Sequence, residues 1–362
     1  MNKKILVVLT ICLVFGSCAK TPESIRSGKK TVDNESVGKE FYVNVQNSFD
    51  DMDDAYKSDY SKFTLPEKSS VKFSVPQQIY NLELEYVTKD KTDDWFIQRL
   101  PELSVVFDNA TGGEIVTGNG YPKMIDDKDN VVEINEGTYS CLNINRIDLN
   151  LYDSIEPIYI NRFEKSDTRI KSGCEKAQDY AEQIKTIVDD DLDTTVYDVT
   201  LFNIENDYFY TVDLQKSYEG VGIMNMLQSY APMPDKDEQG IVSVLFQSYA
   251  NFTSSGANYT YHGSPSFKVV KADPIDKVLS FKGACDILEN ELAEGMDVRF
   301  DDVELLYEPY GYMWYGTQND YSNVVCTPKW YFIIDNKEDI LQHTVECITI
   351  DCVSGEIEVF MA

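Results

Sequence analysis

The sequence predicts an α+β fold, in which an antiparallel β-rich N-terminal region precedes two repeats that each set one helix against an antiparallel sheet. Three observations predict it. Apolar and polar residues alternate through many short segments, which is typical of half-buried strands. Two longer segments, opening near Ser172 and Ser280, repeat apolar residues at the helical period. Each predicted helix is followed by three or more predicted strands, so the same order of elements occurs twice.

The first 17 residues have the pattern of a secretory signal. Two lysines precede an apolar run from 5 to 15, and Gly16 and Ser17 stand directly before Cys18. The run is too short to span a bilayer as a permanent helix. Small residues followed at once by cysteine resemble the lipobox of bacterial lipoproteins, and that resemblance implies that Cys18 becomes the lipidated N-terminus. The alternative is ordinary secretion, with Cys18 left as a free thiol.

The chain is predicted to divide into consecutive segments after the signal peptide at 1–17. Residues 18–40 carry the lipidated cysteine and a polar tether, because they show no apolar period. The N-terminal β-rich domain is predicted at 41–165. The first helix-plus-sheet repeat is predicted at 166–250, and the second at 279–362.

The N-terminal domain opens with predicted strands. Residues 80–86 alternate between apolar and polar. Residues 103–107 run into a turn rich in Asn and Gly and then into 114–116, which predicts a β-hairpin. Residues 131–163 are β-like as well. Together these segments favour a sheet rather than helices in this domain.

The first repeat begins with a helix that a capping box predicts, in which Ser172 caps the Glu175 amide. Its apolar stripe is Cys174, Ala177, Ala181, Ile184 and Val188. The acidic run 189–191 predicts its end, since carboxylates oppose the dipole at a helix C-terminus. The strands predicted after it are 196–204, 208–214 and 241–249.

The second repeat begins with a helix at Ser280, which Gly295 is predicted to end. The strands predicted after it are 298–307, 329–334, 345–350 and 356–360. Residues 279–360 are similar to the PepSY-like repeats of bacterial surface proteins and to membrane-anchored regulators that restrain the cell-wall histidine kinase of Firmicutes. The segments that carry this resemblance are 280–284, 303–307, 328–332 and 350–357.

Nearly the whole mature chain also resembles an uncharacterised family of clostridial surface lipoproteins in the order of its parts. These resemblances rest on packing and turn features, not on reactive groups. They imply a fold and a location, and a fold alone implies no activity.

The charge of the chain is strongly negative. Its 62 acidic residues outnumber 32 basic ones, for a formal net charge of −30. Such a field repels nucleic-acid phosphates and anionic lipid headgroups. We therefore expect no nucleic-acid partner, and we expect membrane attachment through the lipid alone. The 24 tyrosines and 17 phenylalanines are enough to build substantial cores.

The cysteine pattern leaves the disulfides open. Six cysteines remain after the leader and Cys18, and six allow 15 pairings. They are Cys141, Cys174, Cys285, Cys326, Cys347 and Cys352. No pair has zinc-ligand spacing, and the two histidines, His262 and His343, lie far apart. We expect no metal site and no cofactor.

The sequence holds no familiar catalytic motif. It contains no G-x-S-x-G, H-E-x-x-H, G-x-G-x-x-G or P-loop. Asp189, Asp191 and Asp193 have the spacing of an EF-hand loop, but Thr194 and Thr200 stand where glycine and a bidentate glutamate are needed. A solvated acidic surface is therefore the interpretation. Paired carboxylates could serve glycoside hydrolysis, but no feature selects a pair.

One segment is rich in aromatic residues, and we call 307–321 the aromatic connection because it joins two predicted strands. Its residues form the candidate binding surface: Tyr307, Tyr310, Tyr312, Trp314, Tyr315 and Tyr321. Exposed Tyr and Trp offer large rigid contact areas to a partner. The alternative is a loop folded over the sheet edge that buries its own rings.

Two functions from different classes follow from these observations. The first is a lipid-anchored, non-catalytic module at the extracellular face of the cytoplasmic membrane, which binds or regulates an envelope protein, with peptidoglycan or a glycan as further candidate partners. The second is a lipoprotein that captures a small molecule or glycan, for which an acidic surface favours cationic or neutral ligands. A carboxylate-dependent hydrolase is the least favoured interpretation.

Overall fold

The chain has a mixed α+β fold, as the sequence predicts, in a computed structural model. The described residues are 41–68, 71, 75–87, 91–118, 120–135, 138–142, 158–161, 168–204, 207–224, 228–232, 239–243, 247–253, 260–295, 297–310, 324–334 and 347–360. The predicted signal peptide and tether lie outside them. Within these ranges, no helix combines the length and apolar character that crossing a membrane requires.

Four α-helices and a larger number of strands make up the described part. The helices are α1 (Met52–Lys57), α2 (Asp93–Phe107), α3 (Lys171–Ile187) and α4 (Phe281–Glu291). The strands up to the third helix are β1 (Tyr42–Asn44), β2 (Phe63–Thr64), β3 (Ile79–Tyr86), β4 (Glu114–Gly118), β5 (Gly120–Ile125), β6 (Val131–Asn135), β7 (Thr138–Leu142) and β8 (Ile158–Asn161). The later strands are β9 (Asp193–Ile204), β10 (Asp207–Tyr218), β11 (Val221–Gly222), β12 (Gln228–Pro232), β13 (Gln239–Ser243), β14 (Gln247–Thr253), β15 (Thr260–Gly263), β16 (Phe267–Ile275), β17 (Lys277–Leu279), β18 (Val298–Tyr310), β19 (Val324–Ile334), β20 (Cys347–Asp351) and β21 (Ile357–Phe360).

Helices α3 and α4 confirm the two predicted helices. In α3 the predicted stripe faces the core, with Ala177, Ala181 and Ile184 buried. The predicted capping box is wrong, because the helix begins at Lys171 and its N-cap is Ile170, without a side-chain cap. In α4 the Ser280 hydroxyl accepts a hydrogen bond from the Gly283 amide, as an N-cap serine should.

Helix α2 corrects the hairpin predicted from 103–116. Residues 103–107 end a 15-residue helix instead of forming a strand. Phe96, Leu100, Leu103 and Phe107 recur at helical spacing and are at most 6% exposed. Val105 and Val106 are β-branched, so residues 103–107 taken alone predict a strand. The predicted strand at 114–116 is confirmed by β4.

Two further predictions need correction. The segment 241–249 is not a single strand, since β13 and β14 occupy parts of it. Gly295 does not end α4, because the C-cap is Leu292 in extended conformation. Gly295 instead takes a φ of 81° in the turn before β18, a conformation that glycine adopts without steric cost.

Contacts divide the chain into two compact units, each assembled from segments distant in sequence. Unit 1 contains the described residues up to Ile79, from Pro274 to Leu306 and from Pro328 onward. Unit 2 contains Tyr80–Asp273 and Tyr307–Thr327. The consecutive domains predicted at 41–165, 166–250 and 279–362 are divisions along the chain and stay predictions.

Unit 2 is built on a large antiparallel sheet in the order β4-β5-β6-β7-β15-β14-β10-β9-β8. Directly opposite residues of antiparallel strands share one face, so the register defines a row that crosses all nine strands. The row is Ile115, Met124, Val132, Cys141, Tyr261, Ala250, Val212, Val199 and Ile160. Helix α2 packs on β5 and β6, and α3 packs on β9 and β10, so both helices belong to the core of this sheet.

Unit 1 is held around α4 by its own N-terminal segment. β1 pairs antiparallel with β17, and β20 pairs antiparallel with both β19 and β21. The fully buried Trp330 indole donates to the Leu279 carbonyl at 3.0 Å. Asp51 accepts from the Lys282 amide at 3.0 Å, and Glu289 accepts from the Ser61 amide at 3.1 Å. These two hydrogen bonds attach the segment 51–61 to helix α4.

Candidate functional site

The structure removes Tyr307 from the predicted binding surface. Its side chain is fully buried, and its hydroxyl accepts a hydrogen bond from the Tyr80 amide at 3.2 Å. Its carbonyl accepts from the Met224 amide at 2.9 Å. Strand β18 is buried on both faces from Asp302 to Glu308, so Tyr307 lies among buried residues of the strand. Tyr307 is therefore an anchor at the base of the aromatic connection.

The other predicted site residues lie outside what the structure describes. Tyr310 ends β18, and its side chain is not among the described ones. Tyr312, Trp314, Tyr315 and Tyr321 fall in 311–323, and Cys18 falls in 1–40. The structure brings the two ends of the connection into one sheet, since β18 and β19 are neighbours in the strand order. The surface itself, and the lipidation of Cys18, stay predictions.

Asp189, Asp191 and Asp193 are exposed, as the predicted acidic surface requires, but Asp190 between them is buried and helps to hold unit 2 together. Asp190 forms an ion pair with Lys216, and both side chains are at most 1% exposed. The second oxygen of Asp190 accepts from the amides of Leu192 and Phe267, at 3.0 and 3.1 Å. A buried ion pair needs such extra hydrogen bonds to offset desolvation. The pairing spans 26 residues of sequence, and no local pattern signals it.

The same loop covers the edge of strand β16. The Asp191 amide donates to the Phe267 carbonyl at 2.8 Å, and the Asp191 carboxylate accepts from the Val269 amide at 2.9 Å. The same carboxylate pairs with Lys268 at 2.8 Å. The loop therefore satisfies alternate main-chain groups of β16 that would otherwise face outward.

Asp189 belongs to a neighbouring cluster of charged side chains. It pairs with Arg99 at 3.2 Å, and the Arg99 guanidinium lies 3.8 Å from the centre of the Trp95 ring. The Lys91 ammonium lies 5.7 Å from the same ring. Sequence reasoning missed this cation–π cluster because its members come from α2, from the residues just before it and from the loop after α3.

A shallow cleft of about 180 Å³ opens beside this cluster. The residues that line it are Glu85, Tyr86, Val87, Lys91, Asp189 and Lys268. Its lining carries charges of both signs, and Lys268 is already paired with Asp191. Ligand pockets for small molecules are commonly about 300–1,000 Å³ and mainly apolar. The cleft is thus small and polar for a glycan or a drug-sized ligand.

Three of the described thiols are unreactive. Cys285, Cys326 and Cys352 are fully buried and form no disulfide. Burial raises the pKa of the Cys285, Cys326 and Cys352 thiols above the ordinary value. Because the thiolate is the nucleophile, these groups stay protonated and inert at neutral pH.

The described histidine, His262, is held in its neutral form. Burial lowers the pKa of His262, against a smaller opposing effect from the charge of Glu133. The imidazole is therefore neutral at pH 7. His343 lies outside the described ranges.

Asp193, the third residue with EF-hand spacing, pairs with Lys185 at 2.5 Å. Within the described ranges, no group of three or more His, Cys, Asp or Glu side chains is placed to hold a metal ion.

Comparison with known proteins bears on the fold. Neither a protein-family model nor a curated protein matches this sequence significantly. A similar solved structure is the crystal structure of an uncharacterized protein from Eubacterium rectale ATCC 33656. It has a TM-score of 0.51 and 9% sequence identity, and the match covers 83% of this chain and 91% of that chain. At this identity the likeness shows a shared fold and nothing about activity.

Proposed function

We propose that this protein is a lipid-anchored, extracytoplasmic module that acts by contacting an envelope protein and not by catalysis. The observation that carries the proposal is that several of the described side chains capable of chemistry are engaged in the fold. The thiols of Cys285 and Cys326 are buried and protonated, and the Asp190 carboxylate is engaged in its ion pair with Lys216. Side chains engaged in this way stabilise a scaffold.

The aromatic connection supplies the proposed contact surface. It starts from Tyr307, which main-chain and side-chain hydrogen bonds fix in unit 2. A rigid base at the start of the connection lowers the entropy cost of binding a partner there. Tyr and Trp at 312–321 are the side-chain types that most often dominate protein–protein contacts.

The location is proposed from the leader and from the resemblance to PepSY-like surface proteins. The lipid on Cys18 would hold the acidic domain at the extracellular face of the cytoplasmic membrane. Helices α3 and α4, each followed by antiparallel strands, are compatible with two PepSY-like repeats. Capture of a small molecule or glycan is less favoured, because the described cleft is small and its charged lining is partly paired.

In-cell crosslinking tests this function. A photoreactive amino acid at position 314 should form adducts with a membrane protein, whereas the same group at Val353, which is 45% exposed in the β20–β21 turn, should not. Cys18→Ala should release the protein from the membrane and abolish the adducts. The proposal fails if the wild-type protein fractionates with the cytosol, or if the purified protein hydrolyses peptidoglycan.

A further inference from the structure

Strand β4 ends the large sheet of unit 2, and no described strand pairs with its outer edge. Among the described strands it pairs with β5 alone. Its residues from Glu114 to Thr117 are all exposed, with Ile115 38% and Val116 41% exposed. No described residue forms a main-chain hydrogen bond with β4 on the side away from β5, so these groups can pair with a further strand.

The row of apolar residues that crosses the sheet extends to β4, where Ile115 is its last member. Its next members, Met124 and Val132, are 5% and 0% exposed, while Ile115 is 38% exposed. A strand added beside β4 would place its own side chain next to Ile115 and continue the row. The edge thus offers both unpaired main-chain groups and an apolar contact.

Natural edge strands normally carry protection against added strands. Strand β16 contains Lys268, Lys271 and Pro274, and the acidic loop covers part of its edge. Strand β4 has no lysine and no proline. Its one irregularity is a register shift between Val116 and Gly118, which restricts flat pairing to the first few residues.

We propose that β4 binds an extended, basic, β-branched segment of a partner protein, which adds to the sheet as one more strand. This inference rests on the proposed function, since it assigns a docking edge and a peptide chemistry to the same contact module. Main-chain hydrogen bonds would supply affinity, and the alternating side chains would supply specificity.

The negative charge around β4 favours a basic partner strand. Between residues 108 and 135, which hold β4, β5, β6 and their turns, six carboxylates stand against two lysines. The whole chain carries a formal charge of −30. A second copy of this chain would meet repulsion at the edge, whereas a lysine-rich strand would be attracted.

Peptide binding to the purified protein tests the proposal. The probes are a fluorescent peptide KVTIKVK and its acidic counterpart EVTIEVE. The basic peptide should bind, and the acidic peptide should bind at least about tenfold more weakly. Val116→Lys, which adds a charge at the edge, should weaken binding about tenfold or more. Val270→Lys is the matched control, because Val270 is 48% exposed on the covered strand β16, and it should leave binding unchanged.

Every other outcome overturns the proposal. These outcomes are no binding of the basic peptide, equal binding of the acidic peptide, or equal effects of the two lysine substitutions. Self-association of the wild-type protein that Val116→Lys abolishes would assign the edge to a second copy instead. If the peptide fails while position 314 still crosslinks to a membrane protein in cells, the docking edge is wrong and the contact function stands. If both fail, both proposals fall.

Discussion

Strands β16 and β4 both lie at the end of a sheet order, and the chain treats them in opposite ways. At β16, Asp190 and Asp191 accept from the amides of Phe267 and Val269. At β4, the described residues leave the outer side open, and Ile115 and Val116 are exposed. The same unit therefore contains an edge that is closed at Phe267 and Val269 and an edge that no described strand covers.

The two edges differ in whether polar side chains of the chain cover them. An uncovered edge invites pairing with other chains, so a protein that lacks a use for it normally blocks it. The acidic loop shows that this chain can block an edge with buried charge. We interpret the open edge of β4 as a binding feature.

The largest effect is expected from breaking the buried pair that supports the closed edge. Asp190→Asn keeps an oxygen acceptor for the Leu192 and Phe267 amides but leaves the Lys216 ammonium buried without its counter-charge. Losing one partner of a buried pair costs about 3–5 kcal/mol, so the free energy of unfolding in a denaturant titration should fall by that amount. Adding Lys216→Met removes the orphaned charge and should recover much of the loss. A fall below about 1 kcal/mol in the single variant would show that the pair does not support the edge.

A smaller effect is expected from uncovering β16 without breaking the pair. Asp191→Ala removes the acceptor of the Val269 amide and the partner of Lys268. The cost should be about 1–2 kcal/mol, the range for a lost hydrogen bond. Hydrogen exchange at the Val269 amide should become faster in the variant. Asp127→Ala, which alters an exposed carboxylate in the β5–β6 turn, is the control and should leave that amide protected. Unchanged exchange at Val269 in Asp191→Ala would contradict the covering role.

The open edge itself should tolerate charge. Val116→Lys and Val270→Lys alter two exposed valines, so each should change the free energy of unfolding by less than about 0.5 kcal/mol. Thermal melts of the two variants and the wild type provide the comparison. A large loss in Val116→Lys alone would show that Val116 packs against the protein, and the edge would then not be free for a partner.

The smallest effect concerns the turn that follows β5. Burial alone would raise the pKa of Asp126, but hydrogen bonds from Asn130 and Lys128 outweigh burial and lower it. A lowered folded-state pKa stabilises the turn above the unfolded-state value and loses that contribution as pH falls through the folded one. The turn should therefore loosen in acid, below about pH 4. Asp126→Asn should remove this pH dependence, as followed by the Asn130 amide signal in NMR. The same acid response in Asp126→Asn would assign it to another group.

Local pattern in the sequence is enough to predict α3, α4, β9 and β10, because each carries its own period over many residues. It fails at 103–107, where five residues resemble a strand and only the longer stripe from Phe96 reveals the helix. Long-range contacts are harder still. The pair of Asp190 with Lys216 and the burial of Tyr307 depend on how distant strands meet.

The same limit applies to the open edge. The sequence predicts a strand at 114–116 but not its place at the end of the sheet. That place depends on pairings such as β7 with β15, which join segments far apart in the chain. The aromatic surface was inferred from composition alone, and composition does not show which of its rings are buried.

Amide hydrogen exchange on the intact protein tests the central contrast most directly. In the free protein, the alternate amides of β4 that face away from β5 should exchange fast, while those of Phe267 and Val269 should exchange slowly. Excess KVTIKVK should slow the β4 amides about tenfold or more and leave the β16 amides unchanged. Slow exchange along both sides of β4 in the free protein would contradict the account, because that edge would already be closed.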